Sequence, residues 1–387
     1  MVQIDFYTIV IKDLIRRKFS TALTVFAISL GILSIFVILS ITQSFNESIE
    51  GQLSEFGADK IFIQKTGGSE IVFDDQLISE IERNSNIRKV YGYAMENLQF
   101  QNGRDFISAS VLASNLDEDF FEDSTIDIVQ GQAPRSNSDF VIVMGPLIAK
   151  EGFDRELRVG QSLEVSGTKF KIVGITKEFG NPQDDNTVYM QYDVLERFGL
   201  ANNYDMLVPI VVNTQNIENT KSNLEIFFER EFGENRVSVL TSKDLLDQLN
   251  TITSLITGVL GGIGFVSLIV GALGIINTMF VIVQEKIKDI GILKSVGAKN
   301  REILQLFMFQ SSLFGILGAV FGIFLGSLSL LLIQLVLNQL GFTFLEIEFF
   351  PVIIFQMLLF GSVVGAIAGF IPSYIASRID VVEALRK

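Results

Sequence analysis

Four stretches of this chain carry no charged side chain over lengths that match the apolar core of a lipid bilayer, and that feature restricts its fold most. Residues 19–46 contain no charge, and 19–41 are dense in Leu, Ile, Val and Phe; residues 255–283, 304–336 and 352–375 repeat the pattern. A helix of about 20 apolar residues crosses the hydrocarbon region. Inside lipid, only helices and closed barrels satisfy every backbone polar group. Four transmembrane α-helices are therefore expected. Lys12, Arg16, Arg17 and Lys18 precede the first run, as they would in a secretory signal. A signal's apolar region covers only about 7–15 residues and ends at a cleavage site. This run is longer and continues into SITQSFNES, so it reads as an uncleaved anchor. Residues 303–345 are uncharged with no turn signal before Gly341, which predicts one long helix and then an outer loop over 337–351.

Charge sorts along the chain in the same way. Residues 47–247 hold 35 Asp/Glu against 18 Lys/Arg, a net of −17, while the remainder is +3, giving −14 in all. Lys/Arg-rich short loops stay in the cytoplasm. The segment before the first run, the loop 285–302 with its five Lys/Arg and the tail after Arg378 then lie inside. The loop before the last run offers only Glu346 and Glu348 and lies outside. Both termini are thus expected in the cytoplasm, in a multi-pass protein of the plasma or inner membrane with lipid around its spans.

Several chemistries are excluded. The chain has no Cys and no His, which removes thiolate nucleophiles, Cys/His zinc sites and imidazole general bases. GxxxxGK[ST] is absent, so there is no P-loop for ATP. No span carries an Asp, Glu, Lys, Arg or His, against the habit of ion-coupled carriers. No basic stripe with interleaved aromatics offers a nucleic-acid surface. The acidic run 117–123 (DEDFFED) and the pair Asp184 and Asp185 lack the spacing and turn glycine of a calcium loop and read as surface and turn residues. No catalytic, cofactor or metal site is expected here, and Asn277 in the second span reads as an interhelical hydrogen-bonding residue.

Two glycine ladders are expected to pack helices. Gly318, Gly322 and Gly326 recur every four residues in the third span, and Gly361, Gly365 and Gly369 do so in the fourth. Small residues at that spacing let backbones approach closely in lipid, and the simplest reading is a tight hairpin of these two helices.

Between the first two spans the expected order is a stalk helix over 42–58, a domain over 59–241 and a returning stalk helix over 242–254. Ile41, Phe45, Ile49, Leu53 and Phe56 form one apolar stripe, and Leu245, Leu249, Ile252 and Ile256 form another. The stripes suit an antiparallel stalk; packing inside the domain would produce them equally. Strand, helix and strand alternate at 59–101 and again at 206–240, the split βαβ, ferredoxin-like pattern. Residues 104–200, with the hairpin sequence LEVSGTKFKIVGI, read as a β-rich insertion into that α+β subdomain.

Residues 284–300 hold a short amphipathic helix. Ile287, Ile290 and Leu293 make an apolar stripe with Lys286, Asp289 and Lys294 around it. Gly297 can stop the helix in the left-handed conformation. Such a helix suits the groove of another protein, and it suits the membrane surface too.

The run GALGIINTMFVIVQEKIKDIGILKSVGAKNREILQLF, residues 271–307, resembles the permeases of the MacB/FtsX type of ABC transporter. LIRRKFSTALTVFAISLGI, residues 14–32, resembles the entry helix and first span of that family, which implies a cytoplasmic amphipathic entry helix over 1–18 here. FGADKIFIQ, VQGQAP, LRVGQSLEV and FKIVGI resemble its extracytoplasmic core domain, and PSYIASRIDVVEALRK, residues 372–387, its C-terminal signature, with 376–387 as a cytoplasmic tail. Lys286, Asp289 and Val381 stand where Arg, Glu and Pro are usual. The resemblance implies a permease subunit working as a homodimer, or as a heterodimer with a related permease, beside separate ATPase subunits that bind ATP and Mg. It also implies that the helix holding Lys286, Ile287, Asp289, Ile290, Gly291, Leu293, Lys294, Gly297 and Ala298 couples to the ATPase. Export through an extracytoplasmic adaptor, and FtsX-like activation of an extracytoplasmic hydrolase, are both compatible with it. Outside the family, a receptor or scaffold without an ATPase would share the same topology.

Overall fold

The computed structural model describes residues 18–67, 71–135 and 140–386. Except for Lys18, the expected helix over 1–18 lies outside them. The chain divides into two compact units, one built from 46–251 with 337–345, the other from 1–45, 252–336 and 346–387.

The first unit takes the end of helix α1 (Lys18–Phe56) and continues through β1 (Ile61–Lys65), α2 (Asp75–Ile81), β2 (Ile87–Asn102) and β3 (Asp105–Ser114). Then follow α3 (Glu118–Asp123), β4 (Ile128–Gly131), β5 (Val141–Met144), α4 (Pro146–Glu151), β6 (Ser162–Val165), β7 (Thr168–Thr176), α5 (Pro182–Asp185), β8 (Thr187–Gln191) and α6 (Tyr192–Arg197). It closes with β9 (Met206–Val211), α7 (Ile217–Phe232), β10 (Val237–Thr241) and the start of α8 (Ser242–Glu285). Strands run in the order β10-β1-β9-β2-β3-β8-β5-β7-β4, with β6 on β2 and β7. The first four pair antiparallel, the arrangement two interleaved strand–helix–strand units produce. The insertion enters through β2, whose first half pairs β9 and whose second half pairs β3.

Local chemistry starts and stops these elements. Asp74 accepts a bond from Leu77 N at 2.9 Å and so caps α2. Ser166 and Gly167, both at positive φ, join β6 to β7 where Val165 faces Thr168. That is the primed turn which matches the twist of a hairpin. Strand β8 is buried at every position, as a strand covered on both faces must be. One face of the sheet buries Phe73, Phe100, Phe170 and Phe228, and the other Tyr91, Phe120, Phe121 and Tyr189.

The acids of the 117–123 run serve the fold. Asp117 caps α3 through Phe120 N at 2.7 Å, and Asp123 pairs with Arg88 and accepts from Tyr91 Oη at 2.8 Å. The Asp185 carboxylate is buried and accepts from the N–H groups of Phe179 (2.7 Å) and Gly180 (3.0 Å). Burial raises its pKa above the ordinary carboxylate range, and these two bonds offset only part of that. The Gly180 carbonyl in turn accepts from Thr343 N at 2.8 Å and Phe344 N at 3.1 Å. Gly180 and Gly341 are both at positive φ, and a Cβ on Gly341 would stand 2.9 Å from Pro182 Cγ. Residues 337–345 are thereby bonded into this unit.

Among the described residues the second unit contains four helices long and apolar enough to cross a membrane. They are α1, α8, α10 (Asn300–Gln339) and α11 (Pro351–Ser377), with the short α9 (Ile287–Ser295) and α12 (Val381–Arg386). Helix α10 is one unbroken helix. Outward apolar side chains such as Val259, Val270, Phe324, Leu332, Phe355 and Ile367 are exposed, which water would penalise and lipid does not.

Helices α1 and α8 lie backbone to backbone. A Cβ on Gly31 would be 3.0 Å from Leu268 Cα, and one on Gly271 would be 3.0 Å from Ile28 Cα. Hydroxyl bridges Thr24–Thr278 (2.6 Å) and Thr42–Thr257 (2.9 Å) join the same pair. The interhelical bond expected of Asn277 is thus made by its neighbour Thr278, while Asn277 is exposed.

The ladders divide differently from the expected hairpin. Gly361, Gly365 and Gly369 do face α10, but they meet Ser311, Gly315 and Ala319. Gly318, Gly322 and Gly326 instead receive Ile28, Ser29 with Ile32, and Phe36 of α1. Helix α10 carries two small-residue faces because it packs against two neighbours.

Candidate functional site

The segment joining α8 to α10 is the most strongly shaped surface feature of the bundle. Helix α8 ends at Glu285, and Lys286 leaves helical geometry at φ −99°, ψ 13°. Its carbonyl accepts from Ile290 N at 2.9 Å, so a new helix begins at once in a new direction. Burial lowers the Lys286 pKa, with Asp289 opposing the shift. At the far end, Gly297 takes φ +106°. Ala298 N then bonds Leu293 O, and Gly297 N bonds Lys294 O, both at 3.0 Å. This pair of bonds is the Schellman stop, which needs a residue at C′ that tolerates the left-handed region. Two residues on, Glu302 Oε2 accepts from Lys299 N at 2.9 Å, the reciprocal half of a capping box that starts α10.

The two faces of α9 differ from the sequence expectation. Ile290 is 1% exposed and Gly291 is buried, with Ile287, Leu293 and Lys294 half-buried. The apolar stripe read as facing a partner packs into the protein's own bundle, and Gly291 with it. Helix α12 packs against the same helix, and its Ala384 is fully buried. The outward face carries Lys288, Asp289, Ile292, Ser295 and Val296, followed by Lys299. Ile292 is 49% exposed and Val296 85%. Their i,i+4 spacing, flanked by Lys288 and Lys299, was the available signal.

Lys294 has a separate attachment. Its Nζ donates to Ser377 O and to Ile379 O, each at 2.8 Å. Beside this contact lies a cavity of about 410 Å³ lined by Ile287, Tyr374, Ile375, Arg378, Ile379, Asp380 and Ala384. Arg378 lies over the Tyr374 ring, 4.9 Å from its centroid. Among the described residues no group of three or more His, Cys, Asp or Glu could hold a metal ion.

Bundle and inserted domain together define a membrane permease built around a large extracytoplasmic module. The family description MacB-like periplasmic core domain matches residues 21–225, and FtsX-like permease C-terminal matches residues 261–381. The chain belongs to the MacB/FtsX family of ABC transporter permeases.

An uncharacterized ABC transporter permease of Methanocaldococcus jannaschii is 29% identical, covering 99% of this chain and 98% of that one. The uncharacterized ABC transporter permease YknZ of Bacillus subtilis is 21% identical, with 97% of each covered. The macrolide export ATP-binding/permease protein MacB of Psychrobacter cryohalolentis is 23% identical over 96% of this chain, which spans 58% of that protein's length. Among solved structures, the periplasmic region of MacB from Actinobacillus actinomycetemcomitans aligns with 52% of this chain and 97% of its own, at 15% identity and a TM-score of 0.43.

Proposed function

We propose that this permease couples ATP hydrolysis by a separate ATPase subunit to movement of its extracytoplasmic domain, as a homodimer, for export or extraction of a substrate. The orientation is the one the Lys/Arg distribution requires, with α9 and both termini in the cytoplasm. The observation that carries the reading is the outward face of α9. A helix of nine residues is held at both ends, backed by its own bundle, and presents Ile292 and Val296 between Lys288 and Lys299. Two exposed apolar side chains on a short fixed helix fit a shallow groove on a protein partner. Two relatives matched over nearly their whole length are named ABC transporter permeases, which supports an ATPase as the partner of this chain.

Replacing Ile292 by Glu tests the reading. The complex, purified through a tag on this chain, should lose its ATPase subunit while the chain keeps its melting temperature, because Ile292 lies outside the bundle. Retention of a stoichiometric ATPase by Ile292→Glu together with Val296→Glu would remove α9 as the docking element. A chain that copurifies with no ATPase in its native form would fit a receptor or scaffold instead.

A further inference from the structure

We infer that Lys294 is a positioning residue that fastens the partner-facing helix α9 to the end of α11, so that displacement of α9 is passed directly to the fourth span; the inference rests on α9 being the ATPase-docking element. Helix α9 is joined through the chain to α8 and α10 only. Its link to α11 is made by side chains, and Lys294 reaches across 83 residues of sequence to make it.

The contact has the chemistry of a clamp. The last carbonyls of any helix lack intrahelical donors and carry the negative end of its dipole. Helix α11 ends at Ser377, and the Lys294 ammonium, a group with three donors and no acceptor, takes Ser377 O and Ile379 O together at 2.8 Å. The open pocket beside it is lined by Ile287, Ile375 and Ile379, so the tie lies next to a groove at the surface of the bundle.

What is attached at the other end explains the use of such a tie. From Ser377 backward, α11 runs through Gly369, Gly365 and Gly361, which lie against Ser311 and Gly315 of α10, and Gly361 also reaches Ile32 of α1. A pull on the end of α11 is thus received by a helix packed backbone to backbone with its neighbour, and it reaches α1 as well.

The test uses the complex of the full chain with the ATPase that copurifies with it, in lipid nanodiscs. The chain has no cysteine, so one introduced as Arg104→Cys on the β2–β3 turn gives a single thiol. Its labelling rate is compared with and without ATP, alongside ATP turnover. Lys294→Met should keep the ATPase bound, yet movement per ATP turned over should fall about tenfold, the equivalent of one hydrogen bond to a charged group. Lys294→Arg, which also donates to two carbonyls, should restore most of the response, a rescue not expected of a side chain that merely fills space.

A full response in Lys294→Met, or equal loss in Lys294→Arg, would overturn the proposal. Loss of the ATPase from Lys294→Met would make Lys294 a docking contact and overturn it too. Should Lys294→Met fail to accumulate, Lys294→Gln keeps an amide donor and should give an intermediate response; an unchanged one again refutes the idea. Retention of the ATPase by Ile292→Glu together with Val296→Glu would remove the docking reading and this inference with it, whereas a full response in Lys294→Met while that pair releases the ATPase defeats this inference alone.

Discussion

Replacing Gly315 by Ala adds one methyl group where two helix backbones of the bundle meet. A Cβ there would stand 2.0 Å from Gly361 O, 2.8 Å from Gly361 C and 3.1 Å from Gly365 Cα. All three are backbone atoms, so no side-chain rotation relieves the overlap. The two helices must separate until 2.0 Å becomes an ordinary contact of 3.4 Å or more, and the packing along Ser311, Gly361 and Gly365 loosens with them. Overpacking of this kind costs about 1–3 kcal/mol, while Ala gains about 1 kcal/mol over Gly in helix propensity. The control is Gly274→Ala, where the new Cβ meets only Thr24 Cγ2 at 4.0 Å and the propensity gain should stand alone. Thermal unfolding in detergent, followed by the loss of monodisperse protein, should place Gly315→Ala below the native chain by on the order of 2–4 °C per kcal/mol lost. Gly274→Ala should match or exceed the native chain. Equal melting of Gly315→Ala and the native chain, or a matching loss in Gly274→Ala, would refute the backbone-contact argument.

The remaining predictions concern orientation and pH. Arg104→Cys should react with an impermeant thiol reagent on intact cells and Ser295→Cys only after permeabilisation; the reverse pattern would overturn the orientation. Asp185 titrates above the ordinary carboxylate value because it is buried. Its contribution to stability is therefore complete below that value and is lost as pH rises through its own higher one. The native chain should gain melting temperature relative to Asp185→Asn as pH falls from about 7 to about 4, and a gap that widens toward neutral pH would show the sign to be wrong.

The spans could be read from sequence because lipid leaves a charge-free helix no alternative. The β6–β7 hairpin could be read because its turn depends on neighbours two or three residues away. The partners of buried faces were hidden. A glycine every four residues says that something comes close, not what, so Gly318 and Gly322 were paired with α11 although α1 fills their groove. Amphipathicity says that one side of α9 is covered, not by whom, and the stripe through Ile287, Ile290 and Leu293 covers its own bundle. Lys294 reads from sequence as one of the charges beside the stripe, and its true contact is hidden because the carbonyls that hold it lie far along the chain. Gly180 and Thr343 gave no sign of each other for the same reason: a backbone-to-backbone bond leaves no mark in side-chain pattern.

That last contact bears on how such proteins exchange parts. Residues 337–345 cluster with 46–251 and not with the span helices on either side of them, and two of their N–H groups end on one carbonyl, that of Gly180. The heritable module is therefore discontinuous. A chimaera that grafts 46–251 alone onto a related bundle would strand the Gly180 carbonyl and set Pro182 against a foreign loop. One that carries the nine residues 337–345 along would keep the seam intact. Recombination between relatives should respect that two-piece boundary, although nothing in the linear order of the chain marks it.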